Sequence, residues 1–329
     1  MIGDGLRRAA PRGKNNMNRF VTSAFGSLSL GLLASTAFAQ TPTPAAQPAP
    51  APQQDFSKVE IKTHQVAGNF YYLEGQGGNI GVLIGDDGVL MIDDQFAPLT
   101  ERIMAAVKAL SQKPVRLLVN THVHGDHTGG NENVGKLGIN ILAQDNVRVR
   151  LMKPVAGAPA TGGALPLITY TDKVQLHLDG EDVQIGRFPP AHTDGDSYIQ
   201  FPKADVIHVG DVFRTVGYPG VDGANGGTVK GTIQALDMIV KMAGPNTKIV
   251  PGHGVVVNRD AVASFRDATI EAQKRVSALI KQGMTLEQVT AADPVKDLVS
   301  KFVTTGSPPD ATATQRFYQQ FYTALKSEL

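Results

Sequence analysis

The feature that most constrains this chain is the stretch Thr121-His122-Val123-His124-Gly125-Asp126-His127, which holds three imidazoles and a carboxylate within a few residues. It follows an apolar run at residues 115–120 that predicts a short buried strand, and residues 128–131 predict a turn into a helix. The motif therefore lies at the carboxyl end of a strand, where open α/β folds bind ligands. Imidazole and carboxylate are ligands for zinc and similar divalent ions. In an extended segment His122 and His124 face the same way, and Asp126 and His127 follow where the chain turns, so the motif can serve one ion or two.

Composition narrows the class of protein. The 329 residues are 42% hydrophobic and 19% charged, which is typical of a globular protein with one large domain and extensions. The formal net charge of +1 gives no support for nucleic-acid binding. The absence of Cys excludes disulfides, thiolate nucleophiles and Cys-containing zinc sites.

The N-terminal region has the pattern of an export signal. Lys14 and Arg19 precede an apolar, small-residue run at 20–34, and Ala37-Phe38-Ala39 fits the small-x-small cleavage rule. The run is shorter than the ~20 solidly apolar residues of a membrane span. We expect a signal peptide at 1–39, a Pro/Ala-rich linker at 40–55 and a periplasmic mature protein with no membrane attachment.

From residue 59 the chain alternates short apolar strands with helices. Strand–helix blocks on both sides of residue 170 predict two stacked α/β halves. Strands are predicted at 59–63, 69–73, 80–84, 89–92, 115–120, 141–143, 174–178, 183–188, 198–201 and 206–209, and helices at 98–110, 131–136, 146–152, 231–242, 259–282, from 285, 297–302 and 313–326. Residues 154–166 predict a loop flanking the site. We expect a catalytic domain at 56–258 and a helical extension at 259–329. The sequence leaves open whether this extension packs over the sandwich, forms a dimer interface or acts as a substrate lid.

Three further metal-ligand candidates stand at strand ends before Gly-rich loops, as the opening motif does. They are His192 in Ala191-His192-Thr193-Asp194-Gly195, Asp211 in Gly210-Asp211 and His253 in Pro251-Gly252-His253-Gly254. So many ligands at one sheet edge have no simple structural explanation. Of the eight His, the three others (His64, His177 and His208) lie within strand patterns and are interpreted as ordinary surface or core imidazoles; only His208 is near enough to the ligands to support them.

The set His122-x-His124-x-Asp126-His127, His192, Asp211 and His253 resembles the metallo-β-lactamase superfamily of dinuclear metallohydrolases, over roughly residues 59–256. The resemblance implies an α/β fold, the four-layer αββα sandwich, with the C-terminal helices as an extension. It implies that His122, His124 and His192 hold one Zn²⁺, that Asp126, His127 and His253 hold a second, and that Asp211 bridges them; other divalent ions would also fit. Asp93 matches the family's aspartate that steadies the ligand loop, although it could also cap a helix.

The resemblance implies a hydrolase in which a metal-bound hydroxide attacks a carbonyl, with Asp126 orienting it or taking its proton. The first hypothesis is β-lactam hydrolysis and antibiotic resistance, because Arg214 could pair with a substrate carboxylate and Asn225 could polarise a lactam carbonyl. Asp211 departs from that branch, which has Cys there, and favours a lactonase or glyoxalase-II-like thioesterase. An iron redox protein or a non-catalytic metal binder is the alternative from another class. A small-molecule substrate is the expected partner, and the oligomeric state stays open.

Overall fold

Two β-sheets carry the site, and their strands come from the two halves of the chain. The computed structural model describes residues 54–329; the predicted signal at 1–39 and residues 40–53 of the predicted linker lie outside the described residues. The seven strands of the first sheet are β1 (Lys62–Ala67), β2 (Phe70–Glu74), β3 (Ile80–Ile84), β4 (Val89–Ile92), β5 (Val115–Val119), β6 (Asn140–Gln144) and β7 (Ile168–Tyr170). The five strands of the second are β8 (Lys173–Leu178), β9 (Glu181–Arg187), β10 (Ser197–Phe201), β11 (Val206–His208) and β12 (Lys248–Val250).

The strand order follows the chain. The first sheet runs β1 to β7 in sequence, antiparallel up to β4 and parallel from β4 to β7. In the second sheet β8 to β11 are antiparallel neighbours, and β12 joins β11 in parallel. The division between the sheets falls between residues 170 and 173, so the prediction of two α/β halves about residue 170 is confirmed.

Side-chain alternation along the strands creates three apolar layers. In β4, Leu90 and Ile92 pack into the core between the sheets, while Val89 and Met91 pack on the opposite face against helical residues such as Ile103. Successive side chains of a strand point to opposite faces, so an all-apolar strand fills two cores. The second sheet has a core on its own outer face. These layers are those of an αββα sandwich, and the predicted fold class is confirmed.

Helices cover the outer faces of both sheets. They are α1 (Thr100–Leu110), α2 (Gly125–Thr128), α3 (Asn131–Lys136), α4 (Asp145–Met152), α5 (Val229–Met242), α6 (Arg259–Lys281), α7 (Leu286–Ala292), α8 (Val299–Phe302) and α9 (Ala311–Glu328). The C-terminal helices beyond residue 258 share one core with α5 and with β11 and β12; Phe265 in α6 and Phe321 in α9 are fully buried there. Across residues 54–329, no helix has the length and apolar character that crossing a membrane requires.

Local differences from the predicted elements have simple causes. The first strand begins at Lys62, three residues later than residue 59, and β7 is an additional short edge strand. The predicted site-flanking loop 154–166 packs on α3, because Gly135 and Gly163 let the two backbones touch and Asn131 donates to the Ala164 carbonyl. The ligand motif itself contains α2, a single helical turn.

Candidate metal centre

All seven predicted ligands lie after strand ends at one edge of the sandwich. His122 and His124 follow β5, Asp126 and His127 belong to α2, His192 lies between β9 and β10, Asp211 is in the 3₁₀ turn Gly210–Val212 after β11, and His253 follows β12. The structure therefore brings together residues that are up to 131 positions apart in the chain. Three overlapping groups among them offer ligand atoms that lie within 4.8 Å of one another.

The first triad consists of His122, His124 and His192. His124 Nδ1 lies 3.2 Å from His122 Nε2 and 2.8 Å from His192 Nε2. Three imidazole nitrogens thus converge on one point, which is the donor set of a three-histidine metal site. The grouping of these three residues that the family resemblance implies agrees with this geometry.

The second triad consists of Asp126, His127 and His253. Asp126 Oδ2 lies 3.2 Å from His253 Nε2 and 3.7 Å from His127 Nε2. The His127 side chain is fully buried, whereas that of Asp126 is 29% exposed and faces the open side of the centre. One carboxylate and two imidazoles form a mixed site that suits zinc and other borderline divalent ions.

Asp211 lies between the two triads. Its Oδ1 is 3.2 Å from Nε2 of both His127 and His253, and its Oδ2 is 3.6 Å from His192 Nε2. Within residues 54–329, Asp211 Oδ1 and His127 Nε2 are buried and have no hydrogen-bond partner. Buried polar atoms are rarely left unpaired, and here both point into the centre. The donor set therefore fits divalent metal ions, with Asp211 shared between two positions.

Protonation states at His122, His192 and Asp211 favour metal binding, whereas neighbouring carboxylates, Asp211 first, raise the pKa of His127 and His253 against the effect of burial. Burial and the neighbouring imidazoles lower the pKa of His122, and the same causes lower the pKa of His192 to about 3. Burial alone would raise the pKa of Asp211, but His253 and Arg214 outweigh it and hold that pKa well below its usual range. Neutral imidazoles and an ionised carboxylate are the forms that bind metal.

Each imidazole of the first triad is oriented through its other ring nitrogen. His122 Nδ1 lies 3.0 Å from Thr121 Oγ1, and His192 Nδ1 donates to the Gly220 carbonyl at 3.1 Å. His124 Nε2 donates to Asp222 Oδ2 at 2.7 Å. Such outer partners set the tautomer and direction of a metal-binding imidazole.

Asp93 performs the same task for the second triad. Its Oδ2 accepts from His127 Nδ1 at 2.7 Å, and its two oxygens accept from the backbone and hydroxyl of Thr121, each at 2.7 Å. The alternative of a helix cap does not apply, since the 3₁₀ turn Ala97–Leu99 has Phe96 at its N-cap. Asp93 adopts φ 63°, a backbone conformation that Asp tolerates better than most residues. One buried carboxylate therefore binds both ends of the ligand motif, Thr121 and His127.

A tight turn at Gly75–Asn79 holds the second triad in place. The Gly78 amide donates to the Asp126 carbonyl at 3.0 Å, and the Asn79 side chain donates to the carbonyls of Pro251 and Gly254 on either side of His253. A methyl group on Gly78 would lie only 2.5 Å from His127 Nε2. The absence of a side chain at Gly78 is what lets the turn close over the imidazole ring.

The two predicted substrate-binding residues both have partners within the protein. The Arg214 guanidinium forms an ion pair with Asp211 Oδ2, so it lies beside the centre. The Asn225 side chain donates to Asp222 Oδ2 at 2.7 Å and belongs to the 3₁₀ turn Gly223–Asn225. Asn225 thus supports the carboxylate that orients His124.

Asp222, which accepts a hydrogen bond from His124, is a candidate site residue that the sequence analysis missed. The only available signal was an Asp before Gly223 in the same Gly-rich loop as Asn225, which is also the ordinary composition of a turn. His208, expected to be a surface or core imidazole near enough to support the ligands, is fully buried. It accepts from the Gly210 amide and donates to the Asn79 carbonyl. It thereby connects the Asp211 turn to the turn over His127.

A family model described as the metallo-beta-lactamase superfamily matches residues 73–253, which include all seven ligand candidates. The chain belongs to the metallo-beta-lactamase superfamily. Members of this superfamily typically bind divalent metal ions, in agreement with the donor set described above.

Solved superfamily structures share the fold. A metallo-beta-lactamase from Pontibacter korlensis superposes with a TM-score of 0.55 at 16% identity, covering 63% of this chain and 99% of that chain. The DIM-1 metallo-beta-lactamase superposes with a TM-score of 0.57 at 16% identity, covering 65% of this chain and 100% of that chain. At such identities the likeness concerns the fold alone.

One curated relative is named for a different activity. The alpha subunit of a 2,4-dinitroanisole O-demethylase from Nocardioides sp. (strain JS1661) is 27% identical over 135 residues. The match spans 40% of this chain and 40% of the length of that relative. Together with the family match, these comparisons indicate a metal-dependent, hydrolase-like superfamily member without specifying its reaction.

Proposed function

We propose that this protein is a dinuclear zinc hydrolase that cleaves a carbonyl–heteroatom bond in a small-molecule substrate. The observation that supports this proposal is Asp211, which lies within 3.2–3.6 Å of imidazoles from both triads. When bound, two divalent ions so placed polarise a carbonyl and lower the pKa of an attacking water. The chain then needs no Ser or Cys nucleophile, and it contains no Cys.

The protein residues supply the ligands and hold them in the productive arrangement. His122 and His192 present neutral nitrogens, and the outer hydrogen bonds described above set the directions of all three imidazoles of the first triad. Asp126 has the most exposed side chain of the seven ligand candidates. Burial opposes ionisation of Asp126, but the hydrogen bond from His253 and the charges of His127 and His253 together outweigh it and lower the pKa. An ionised carboxylate on the open side can orient the attacking water and accept its proton.

The first substrate class that we propose is β-lactams, because Arg214 lies beside the centre and its guanidinium suits a substrate carboxylate. The second is lactones or thioesters, which two observations favour. Asp211 occupies the position where the β-lactamase branch has Cys, and the Asn225 amide already binds Asp222. The N-terminal pattern supports export, so we propose that either reaction takes place in the periplasm.

Protein beginning at Gln40 and loaded with zinc tests the proposal. We expect two zinc ions per chain by elemental analysis and turnover of penicillin, lactone or thioester panels. His192→Ala should abolish turnover, while the matched control His177→Ala should retain it, since that side chain is 73% exposed. Zinc-loaded protein that hydrolyses none of these substrates would overturn the proposal. Redox-active iron without hydrolysis would identify the redox alternative.

Asp211→Cys distinguishes the two substrate classes. If the β-lactamase branch is the right neighbour, this substitution shifts preference towards lactams and retains both metal ions. Loss of one metal ion together with lactone or thioester turnover would show that the shared carboxylate is indispensable and favour the second class.

A further inference from the structure

The segment from Arg214 to Asp222 connects the metal centre to the C-terminal helix. On one side Arg214 pairs with Asp211, and the Gly220 carbonyl accepts from His192. On the other side the Tyr218 ring stacks on Phe317 of α9, with ring centroids 4.4 Å apart and planes at 17°. The last helix of the chain, α9, therefore packs directly on the segment that contacts the ligand candidates.

A cavity of about 170 Å³ opens between this segment and α9. The residues that matter in its wall are Arg214, Tyr218 and Gly220 from the segment and Arg316, Phe317 and Gln320 from α9. A second cavity, of about 530 Å³, continues along α9 past Asp222 and shares Arg316 and Gln320 with the first. The two cavities thus form neighbouring parts of one groove, which begins at Arg214 and Gly220, the residues that contact Asp211 and His192; we call it the α9 groove.

The charge in the inner part of the α9 groove is positive. Arg214 and Arg316 both line the first cavity, and no Asp or Glu does. Among residues 54–329 no carboxylate lies within 4.0 Å of the Arg316 guanidinium. Arg214 Nε is buried and has no hydrogen-bond partner within the described part of the chain. Because Arg214 already pairs with Asp211, Arg316 is the guanidinium of this wall that can bind a ligand, and its N–H donors match the geometry of a carboxylate.

The alternative is that Arg316 is an ordinary solvated cation on an exposed helix face. Arg316 is exposed to solvent, and the feature that distinguishes it from such a cation is that it lines the same cavity as Arg214. Tyr218 and Phe317 also give this part of the groove an aromatic wall, which suits the apolar body of an organic anion. The geometry at α9 therefore favours a substrate site over a solvated surface.

We propose that the α9 groove binds a carboxylate of the substrate and that Arg316 determines specificity for it. This proposal rests on the proposed hydrolase function and adds a substrate class: an organic anion whose reactive carbonyl lies at the metal centre. The C-terminal helix is then a wall of the substrate site, in addition to being part of the core.

The first experiment measures binding without turnover. The dissociation constant of glutarate is measured by calorimetry on zinc-loaded protein, with its neutral diamide as the uncharged probe. We expect Arg316→Gln to weaken glutarate binding about tenfold, since a charge-assisted pair is lost, and Arg316→Lys to weaken it less. Lys326→Gln is the matched control, because it removes the same charge from an exposed position of α9 that lines neither cavity. A loss of less than about threefold in Arg316→Gln, an equal loss in Lys326→Gln, or diamide binding as tight as that of glutarate would overturn the proposal.

The second experiment separates this proposal from the hydrolase proposal. The carboxylated lactone γ-butyrolactone-γ-carboxylate and its methyl ester are compared, as are benzylpenicillin and its methyl ester. We expect Arg316→Gln to raise KM for the acids about tenfold and to leave the esters and kcat unchanged. If the unmodified protein hydrolyses no compound, the hydrolase proposal fails and the binding experiment still decides about the groove. If acids and esters are equally good substrates in both variants, the groove proposal alone fails.

Discussion

Gly78→Ala is the substitution that tests most directly how this centre is held together. The added methyl group would lie 2.5 Å from His127 Nε2 and 2.6 Å from Nδ1, whereas ordinary contact begins at 3.4 Å. Gly78 does not adopt a positive φ, so the obstacle is space and not backbone conformation. Either the ring or the turn must move by about 1 Å to restore ordinary contact.

Neither partner can move freely. The His127 ring is fully buried, and its Nδ1 is held by Asp93 at 2.7 Å. The turn is held by the Gln95 side chain, which donates to the Gly78 carbonyl at 2.7 Å, and by the Asn79 amide, which donates to the Gly252 carbonyl at 2.7 Å. Metal–ligand distances tolerate about 0.2 Å, so a shift of about 1 Å removes His127 from the second triad. We expect zinc affinity there to fall at least about tenfold and kcat about 100-fold.

The assay is a zinc titration against a chromophoric chelator, which resolves the two affinities, followed by turnover measurements. Gly125→Ala is the matched control: it lies in the same ligand motif, and its methyl group would meet nothing within 4 Å. We expect it to retain both affinities. Gly78→Ala protein that binds two zinc ions as tightly as the unmodified protein would refute the argument that this turn positions His127.

Three further substitutions test the outer hydrogen bonds and the C-terminal helices. Asp222→Asn should weaken zinc binding at the first triad about 10- to 100-fold, because His124 loses its charged acceptor at 2.7 Å; the same titration measures it. Asp93→Asn should weaken the second triad by a similar factor and also lower the free energy of unfolding, since the carboxylate accepts three buried hydrogen bonds. Phe321→Ala should lower the free energy of unfolding in urea by about 3–5 kcal/mol, because the ring is fully buried in the core shared with the second sheet.

Each of these has a control and a contrary outcome. Asp260→Asn removes a charge from a side chain that is 81% exposed and should leave both zinc affinities unchanged. Thr323→Ala, on the exposed face of α9, should change stability by less than about 0.5 kcal/mol. If Asp222→Asn and Asp93→Asn weaken the same site, the assignment of one carboxylate to each triad is wrong. A Phe321→Ala protein whose catalytic region unfolds at unchanged urea concentration would mean that α9 packs independently.

The local sequence was sufficient to predict two α/β halves and to single out the ligand candidates, whereas the four-layer sandwich was predicted from the family resemblance. Strand and helix positions follow from apolar alternation and helical spacing, which depend on neighbouring residues; α3 at Asn131–Lys136 and the hairpin strands β3 and β4 have the predicted bounds. The ligand candidates were identifiable because each follows a strand end, and parallel or sequential strands bring such ends to one edge. The seven ligand candidates, which are scattered along the chain, therefore lie together at the sheet edge that the motif predicted.

Only the tertiary structure decided what surrounds those ligands. Asp222 orients His124 from 98 positions away, and no periodicity marks one loop aspartate as its partner. The clearance at Gly78 likewise depends on His127, which lies on a different loop. Arg316 is an unremarkable helix residue in the sequence, and it becomes a candidate for substrate recognition only because Tyr218 stacks on Phe317 and brings α9 to the centre. Residue types and strand ends determine the metal chemistry locally, whereas orientation, clearance and substrate contacts arise from packing between distant segments.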